Sequence, residues 1–418
     1  MKTNKLIRHR EARNRPFLAA LGDNLSRRAW FLNSEELCTE ARRRTGLSDF
    51  GDPPIEPALT VLVNSLESEA NLHPLGRLLI RMHLRGILET RLQLTNQWRN
   101  RSGNVEPPPL VRPLFITGMP RSGSTFLHEL LAQEPALRAP RAWEAISPAS
   151  AAEPDRGFLD RRVWKAAFCL WVFRLVVLRA DSVHPMRART PQECVAIHSF
   201  TLLSEEFVST CNVPAYERFL RSTDLRPAYT WEKRLLQHLQ AAQSATQWVL
   251  KSPDHVQGLE ALFSVFPDAR IVQTHRNPLD ILKSLIQLNE RLKGLYGRPP
   301  NHEQVVEDEV RGLAAAIERV IKFRDNHPEL RHRFIDVNYS DVVAAPLKVV
   351  NRISSRFGIP LSTTANASIQ QLARSRSPYK GRRTAHALEA GLSLRSQLSL
   401  FKEYCHRFGI SSGLAGVN

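Results

Sequence analysis

Apolar residues fall at positions 59, 62, 63 and 66 and again at 75, 78, 79 and 82, the three-and-four spacing that lines one face of a helix. Asp52-Pro53-Pro54 precedes the first run, and Ser102-Gly103 with the prolines at 107, 108, 109 and 113 follows the second. This predicts a helical region over residues 1–100 and a connector over 101–112. Beyond it the texture changes to short apolar runs, PLFITG (113–118), WVLKS (248–252), ARIVQTH (269–275) and FIDVNY (334–339), separated by helix-like stretches. Runs that are apolar throughout suit strands buried on both faces. Residues 113–418 are therefore expected to form one α/β domain with a mainly parallel sheet and right-handed crossovers. The stretch 166–178, AAFCLWVFRLVVL, is interrupted by Arg174 and too short to span a bilayer, and it reads as a buried helix.

Charge narrows the partners. Among 418 residues, 58 Lys+Arg face 41 Asp+Glu, a net charge of +17, and the sequence pI is about 10.2. Such a balance asks for an anionic partner: nucleic acid, an acidic membrane surface, or a small molecule bearing phosphate or sulfate. The basic residues run through the whole chain without an RNA-binding motif or zinc finger, so nucleic acid is not expected. The five cysteines (Cys38, Cys169, Cys194, Cys211, Cys405) form no C-x-x-C pair, which argues against a disulfide framework or a zinc site and fits a reducing cytoplasm. No metal-ligand spacing is visible. The first 28 residues hold eight Lys/Arg and two acids but no apolar core of a secretory signal, and they suit a solvated amphipathic helix.

The most informative stretch is PLFITGMPRSGSTFLHELL: an apolar strand, the turn Gly118-Met119-Pro120-Arg121-Ser122-Gly123-Ser124-Thr125, then a helical pattern. Successive amides in such a turn, with the positive end of the helix dipole, surround a phosphate, and the two glycines allow its close approach. The spacing matches the nucleotide loop G-x-x-x-x-G-K-[ST], except that Ser124 stands where an ATPase carries lysine. This disfavours ATP or GTP hydrolysis and favours a ligand with a single 5′-phosphate-linked group, its charge met by Arg121. A tight strand-to-helix turn that binds nothing is the bland alternative.

PRSGST after an apolar strand resembles the 5′-phosphosulfate loop of sulfotransferases that use 3′-phosphoadenosine 5′-phosphosulfate. That resemblance implies a P-loop-type three-layer α/β fold and a second motif, an Arg at a strand end with a Ser eight residues on, holding the 3′-phosphate; ARIVQTHRNPLDILKS supplies Arg276 and Ser284. The order of Thr45-Gly46-Leu47-Ser48-Asp49-Phe50-Gly51-Asp52, Trp143-Glu144, Pro191-Gln192-Glu193 and Leu250-Lys251-Ser252-Pro253-Asp254-His255 is similar to a bacterial-type sulfotransferase family with a helical N-terminal extension. Two stretches depart from it: Asn277 replaces the usual Asp of H-R-D-P, and 386–392 matches the family's C-terminal run poorly.

The resemblance implies cofactor contacts from Arg121, Ser122, Gly123, Ser124, Thr125, Arg276 and Ser284, with Lys380, Gly381 and Arg382 closing over the 3′-phosphate. It also places Lys251 against the bridging oxygen and a catalytic glutamate near Glu144. Three residues compete as base: Glu144 first, Glu193 second, and His255, whose unperturbed imidazole titrates near neutrality. Trp164, Trp171 and Phe173 are candidates for an acceptor pocket or for core. The acceptor is expected to be a small molecule or lipid, the oligomeric state is open, and the charge admits peripheral contact with an anionic bilayer. No metal is required. The competing readings are a small-molecule kinase, a nucleic-acid binder, and a sulfotransferase-like protein that binds nucleotide without turnover.

Overall fold

The computed structural model describes residues 31–100, 108–152, 157, 160–177, 187–242, 247–298, 300–375 and 397–411. Among the described residues three helices come first: α1 (Ser34–Thr45), α2 (Glu56–Ser68) and α3 (Pro74–Arg99). Local chemistry sets their ends. Asn33 accepts from the Glu36 amide at the start of α1, and Gly46 closes it in the left-handed region at φ 70; Pro74 opens α3, where the His73 ring accepts from the Gly76 amide.

Five parallel strands follow: β1 (Leu114–Gly118), β2 (Leu137–Arg138), β3 (Gln247–Lys251), β4 (Arg270–His275) and β5 (Phe334–Asn338), in the order β2-β3-β1-β4-β5. Four of them fall where the apolar runs predict; β2, two residues long, carries too little pattern to be seen. Between the strands lie α4 (Ser124–Leu131), α5 (Ala142–Ile146), α6 (Arg161–Val177), α7 (Arg226–Ala242), α8 (Pro278–Lys293) and α9 (His302–Asn326), with shorter turns and helices, and α10 (Pro346–Phe357) follows β5.

Alternation along the strands builds three layers. Phe115, Leu250, Ile271 and Phe334 point to one side, where α2, α3, α7 and α9 bury their apolar faces in a single cluster. Leu114, Ile116, Val249, Val272 and Val337 point to the other, against α4 and α10. The N-terminal helices therefore share a core with the sheet. The predicted face of α2 is buried in full at 59, 62, 63 and 66. In α3 the predicted face is the wrong one. Ile80, Leu84, Ile87 and Leu88 are buried, whereas Leu75, Leu78 and Met82 stand exposed. The helix carries two apolar stripes, and spacing alone does not say which one meets the core.

Arg91, on α3, fixes this attachment. It is fully buried, its guanidinium 4.3 Å from the Trp231 ring, and it donates to the carbonyls of Phe50 (2.8 Å), Phe200 (2.7 Å), Gly51 (3.3 Å) and Pro53. Burial pulls its pKa down to about 9. Arg91→Met leaves these carbonyls unpaired, and Arg91→Lys lacks the planar fork that reaches them together, so each is expected to lose roughly 2–4 kcal/mol in urea unfolding. A loss under about 0.5 kcal/mol would show that water replaces the fork.

Candidate active site

The carboxyl edges of β1, β3, β4 and β5 open onto a cavity of about 1180 Å³, at the point where β1 has β3 on one side and β4 on the other. Arg121, Gly123, Ser124 and Thr125 from the loop line it, with Lys251, Arg276 and Tyr339 from the strand ends. Gly118 ends β1 at φ 136, and a Cβ there would lie 2.2 Å from the Thr274 carbonyl oxygen of β4. Only glycine permits this approach. Gly123, at φ 87, precedes α4, and a Cβ on it would meet the Tyr339 ring at 2.9 Å. Among the described residues no side chain caps α4 at Gly123, and the amides at a helix start suit a ligand oxygen. Ser122 is turned inward, 2.5 Å from the Met119 carbonyl and 2.6 Å from the Thr274 hydroxyl. Its hydroxyl braces the loop and does not line the cavity.

Arg121 adopts φ 64, and its Nε donates to Ser284 Oγ on α8 at 2.9 Å. Arg276 donates from Nη1 to the Arg121 carbonyl at 2.9 Å, and its guanidinium lies 4.3 Å from the Tyr339 ring. The buried Nε of Arg276 has no hydrogen-bond partner among the described residues. Arg276 and Ser284 thus clasp the loop residue Arg121, though Ser284 itself stays off the cavity wall.

Lys251 is 2% exposed, and its Nζ reaches Glu193 Oε1 at 2.5 Å and Thr125 Oγ1 at 3.1 Å. Glu193 also faces the cavity. Its loop is pinned from two sides: the Cys194 amide donates to the Lys251 carbonyl at 2.9 Å, and the Gln192 amide donates to the Pro140 carbonyl at 2.7 Å.

Two expected bases are placed elsewhere. Glu144 is buried in α5, where one oxygen accepts from Arg138 at 2.8 Å and the other from the Arg141 amide at 2.7 Å. It closes the helix start, does not line the cavity, and steadies the turn whose Ala142 and Trp143 amides hold the 188–190 segment before Glu193. His255 is fully buried, 3.0 Å from the Tyr229 hydroxyl and edge-on to Phe115. Burial drives its pKa down to about 3, so it packs as a neutral ring.

Other expectations meet the structure unevenly. Lys380, Gly381 and Arg382 lie outside the described residues, as do the segments 1–30 and 386–392 and the side chain of Phe173. Trp164 and Trp171 are exposed, lining neither pocket nor core. Three residues escaped sequence reasoning: Tyr339, legible as the residue after an apolar strand, and the carboxyls of Asp254 and Glu205. Both carboxyls line the cavity, and both pKa values are raised, chiefly by burial, with mutual or nearby negative charge adding to it. Cys194, Glu232 and His255, far apart in sequence, bring buried metal-ligand types within 4.8 Å of one another, a grouping no spacing announced.

With this geometry in hand, comparison with known proteins is decisive: a model of the Sulfotransferase family matches residues 113–363, more than half of the chain. The chain belongs to the sulfotransferase family. The solved structure of sulfotransferase STF1 from Mycobacterium tuberculosis H37Rv is 28% identical, superposes with a TM-score of 0.75, and covers 89% of this chain and 99% of its own. Sulfotransferase STF9 from Mycobacterium avium is 25% identical with a TM-score of 0.78, covering 93% and 98%. The omega-hydroxy-beta-dihydromenaquinone-9 sulfotransferase Stf3 of Mycobacterium bovis is 25% identical over 256 residues; the match spans 59% of this chain and 63% of that relative's length. Its three-layer α/β fold, with the helical N-terminal region, superposes on those two solved structures over 89% and 93% of the chain, and the family implies a sulfonate donor.

The raised carboxyls give a pH signature. The folded protein holds the Glu205 proton more tightly than the unfolded chain, so this group favours folding at low pH. That contribution is lost as pH rises from the unfolded value of about 4.3 through the folded value of about 8. Glu205→Gln is expected to flatten the fall in Tm between about pH 5 and about pH 8 relative to wild type. Parallel profiles for the two proteins would show that Glu205 titrates normally.

Proposed function

We propose that the enzyme transfers the sulfuryl group of 3′-phosphoadenosine 5′-phosphosulfate to the hydroxyl of an apolar, lipid-borne acceptor. The observation that carries the donor is the Arg276 guanidinium, its buried Nε without a partner among the described residues and its Nη1 on the carbonyl of Arg121, beside a helix start that no described side chain caps. Two anionic groups fit this arrangement, one at the α4 amides with Ser124 and Thr125 and one at Arg276. Serine at the lysine position of the loop speaks against the kinase reading.

When bound, the donor supplies an activated sulfuryl group on a phosphate leaving group. Lys251, already dehydrated, sets its charge against the departing phosphate oxygen, and Thr125 orients the ammonium. Glu193, next to Lys251 and open to the cavity, takes the proton of the acceptor hydroxyl as the new S–O bond forms and the old one breaks. The acceptor class is supported by the cavity, larger than a nucleotide alone needs and walled by Ile87, Leu285, Leu288, Leu292 and Leu313. The Stf3 relative, named for an omega-hydroxy dihydromenaquinone, points the same way.

Calorimetric titration with adenosine 3′,5′-bisphosphate tests the donor site. Wild type is expected to bind it and to bind ATP weakly, with Arg276→Ala losing about a hundredfold in affinity; failure of the folded wild type to bind sinks the donor assignment. Glu193→Gln is expected to keep the bisphosphate and lose about 10²–10⁴ in turnover. Glu144→Gln is expected to lower Tm while the folded fraction turns over normally. The reverse pattern would move the base to Glu144.

A further inference from the structure

Two helices that line the cavity also carry apolar stripes to the surface. On α6, Trp164, Phe168 and Trp171 are 57%, 62% and 55% exposed. At i, i+4 and i+7 they share one side of the helix, and the rings of Phe168 and Trp171 lie 5.9 Å apart. The same helix buries Ala166 and lends Lys165 and Leu170 to the cavity wall. On α3 the exposed stripe is Leu75, Leu78 and Met82, and Met82 is itself a cavity residue. Exposed apolar surface of this kind marks an interaction site.

We infer that this rim docks on an anionic lipid bilayer. Charge selects the partner. Arg161 and Lys165 on α6 and Arg187 and Arg189 beyond it are exposed, while the neighbouring acid Asp160 is buried against Arg162, a bias that draws anionic head groups. A second copy of the chain meeting the same patch across a two-fold axis would set like charges face to face. Tryptophan favours the head-group boundary, where its ring is buried and its N–H stays wet. No helix among the described residues is long and apolar enough to cross a membrane, so the contact is one in which the helix lies on the surface. Delivery of the acceptor from the bilayer into the cavity past Lys165, Leu170 and Met82 rests on the lipid-borne acceptor proposed above. Bilayer binding itself does not.

Flotation with vesicles of phosphatidylcholine, with and without phosphatidylglycerol, tests the inference on the full chain. Wild type is expected to partition at least about tenfold better onto the anionic vesicles and to leave them in high salt. The triple variant Trp164→Ser, Phe168→Ser, Trp171→Ser is expected to lose at least about tenfold while still binding adenosine 3′,5′-bisphosphate, which reports its folding. Should that variant misfold, Trp171→Ser alone is expected to show a smaller loss in the same direction. No partition of wild type, equal partition onto neutral vesicles, or variants that float like wild type would overturn the proposal, as would sedimentation showing that the aromatic residues hold a dimer. Wild type that floats without binding the bisphosphate would sink the donor reading and leave the docking surface standing.

Discussion

The ligand edge depends on a side chain that is not there. Because residue 118 is glycine, β1 runs against the Thr274 carbonyl of β4 closely enough for the Thr274 hydroxyl to donate to the Thr117 carbonyl at 3.0 Å and to meet Ser122 at 2.6 Å. Those bonds draw the loop down onto the sheet, and the turn closes with Arg121 in the left-handed region. A non-glycine residue there costs on the order of 1 kcal/mol. Bonds at both ends of Arg121 offset it: the side chain to Ser284, the carbonyl from Arg276. Strain, glycine and guanidinium thus sit together at the point where the proposed donor's phosphate would approach.

Net charge describes the chain but not its cavity. Lys251, Arg121 and Arg276 gather at the sheet edge, while Glu193, Glu205, Glu206, Asp254 and Glu309 line the same space. Dehydrating an ammonium costs several kcal/mol, and Lys251 meets that cost in the folded protein through Glu193 and Thr125. On the proposed reading, an arriving anion finds the charge already dehydrated and only has to exchange partners with Glu193. In the proposed reaction that exchange frees the carboxylate when a proton acceptor is needed, which ties the two proposed roles to one ion pair.

What was legible in the sequence follows the range of the interactions. The β1 strand, its glycines and the helix start lie within 19 residues and could be read directly, as could the four longer strands. The placing of Arg276 at a strand end and Ser284 two turns along the next helix was legible through resemblance, whereas their meeting on Arg121 was not. The different surroundings of Glu144 and Glu193 were not legible either: Arg138 and the Arg141 amide hold one carboxylate, and Lys251, 58 residues away, holds the other. His255 looked like a base until the fold put Phe115 and Tyr229 around it. The stretch from 166 misled for a related reason: a helix apolar on all sides does not reveal which side its neighbours cover, and the fold covers Ala166 while leaving Phe168 and Trp171 in view.

That exposure needs a physical reason why the chain tolerates it in water. Helix α3 has one: its buried stripe at 80, 84, 87 and 88 and the Arg91 fork hold it in place whatever its outer face carries. Helix α6 has Ala166 buried, Val163 and Leu170 packed against the core, and the Arg162 guanidinium 4.8 Å from the Trp143 ring. Association through its aromatic face is opposed by charge, since Arg161 and Lys165 stand exposed on the same helix and the whole molecule carries +17. Repulsion between copies keeps an apolar rim available that a neutral protein would lose to self-association. Seen this way, the basic composition and the exposed aromatic residues are two parts of one arrangement, the first keeping the second free for a surface of opposite charge.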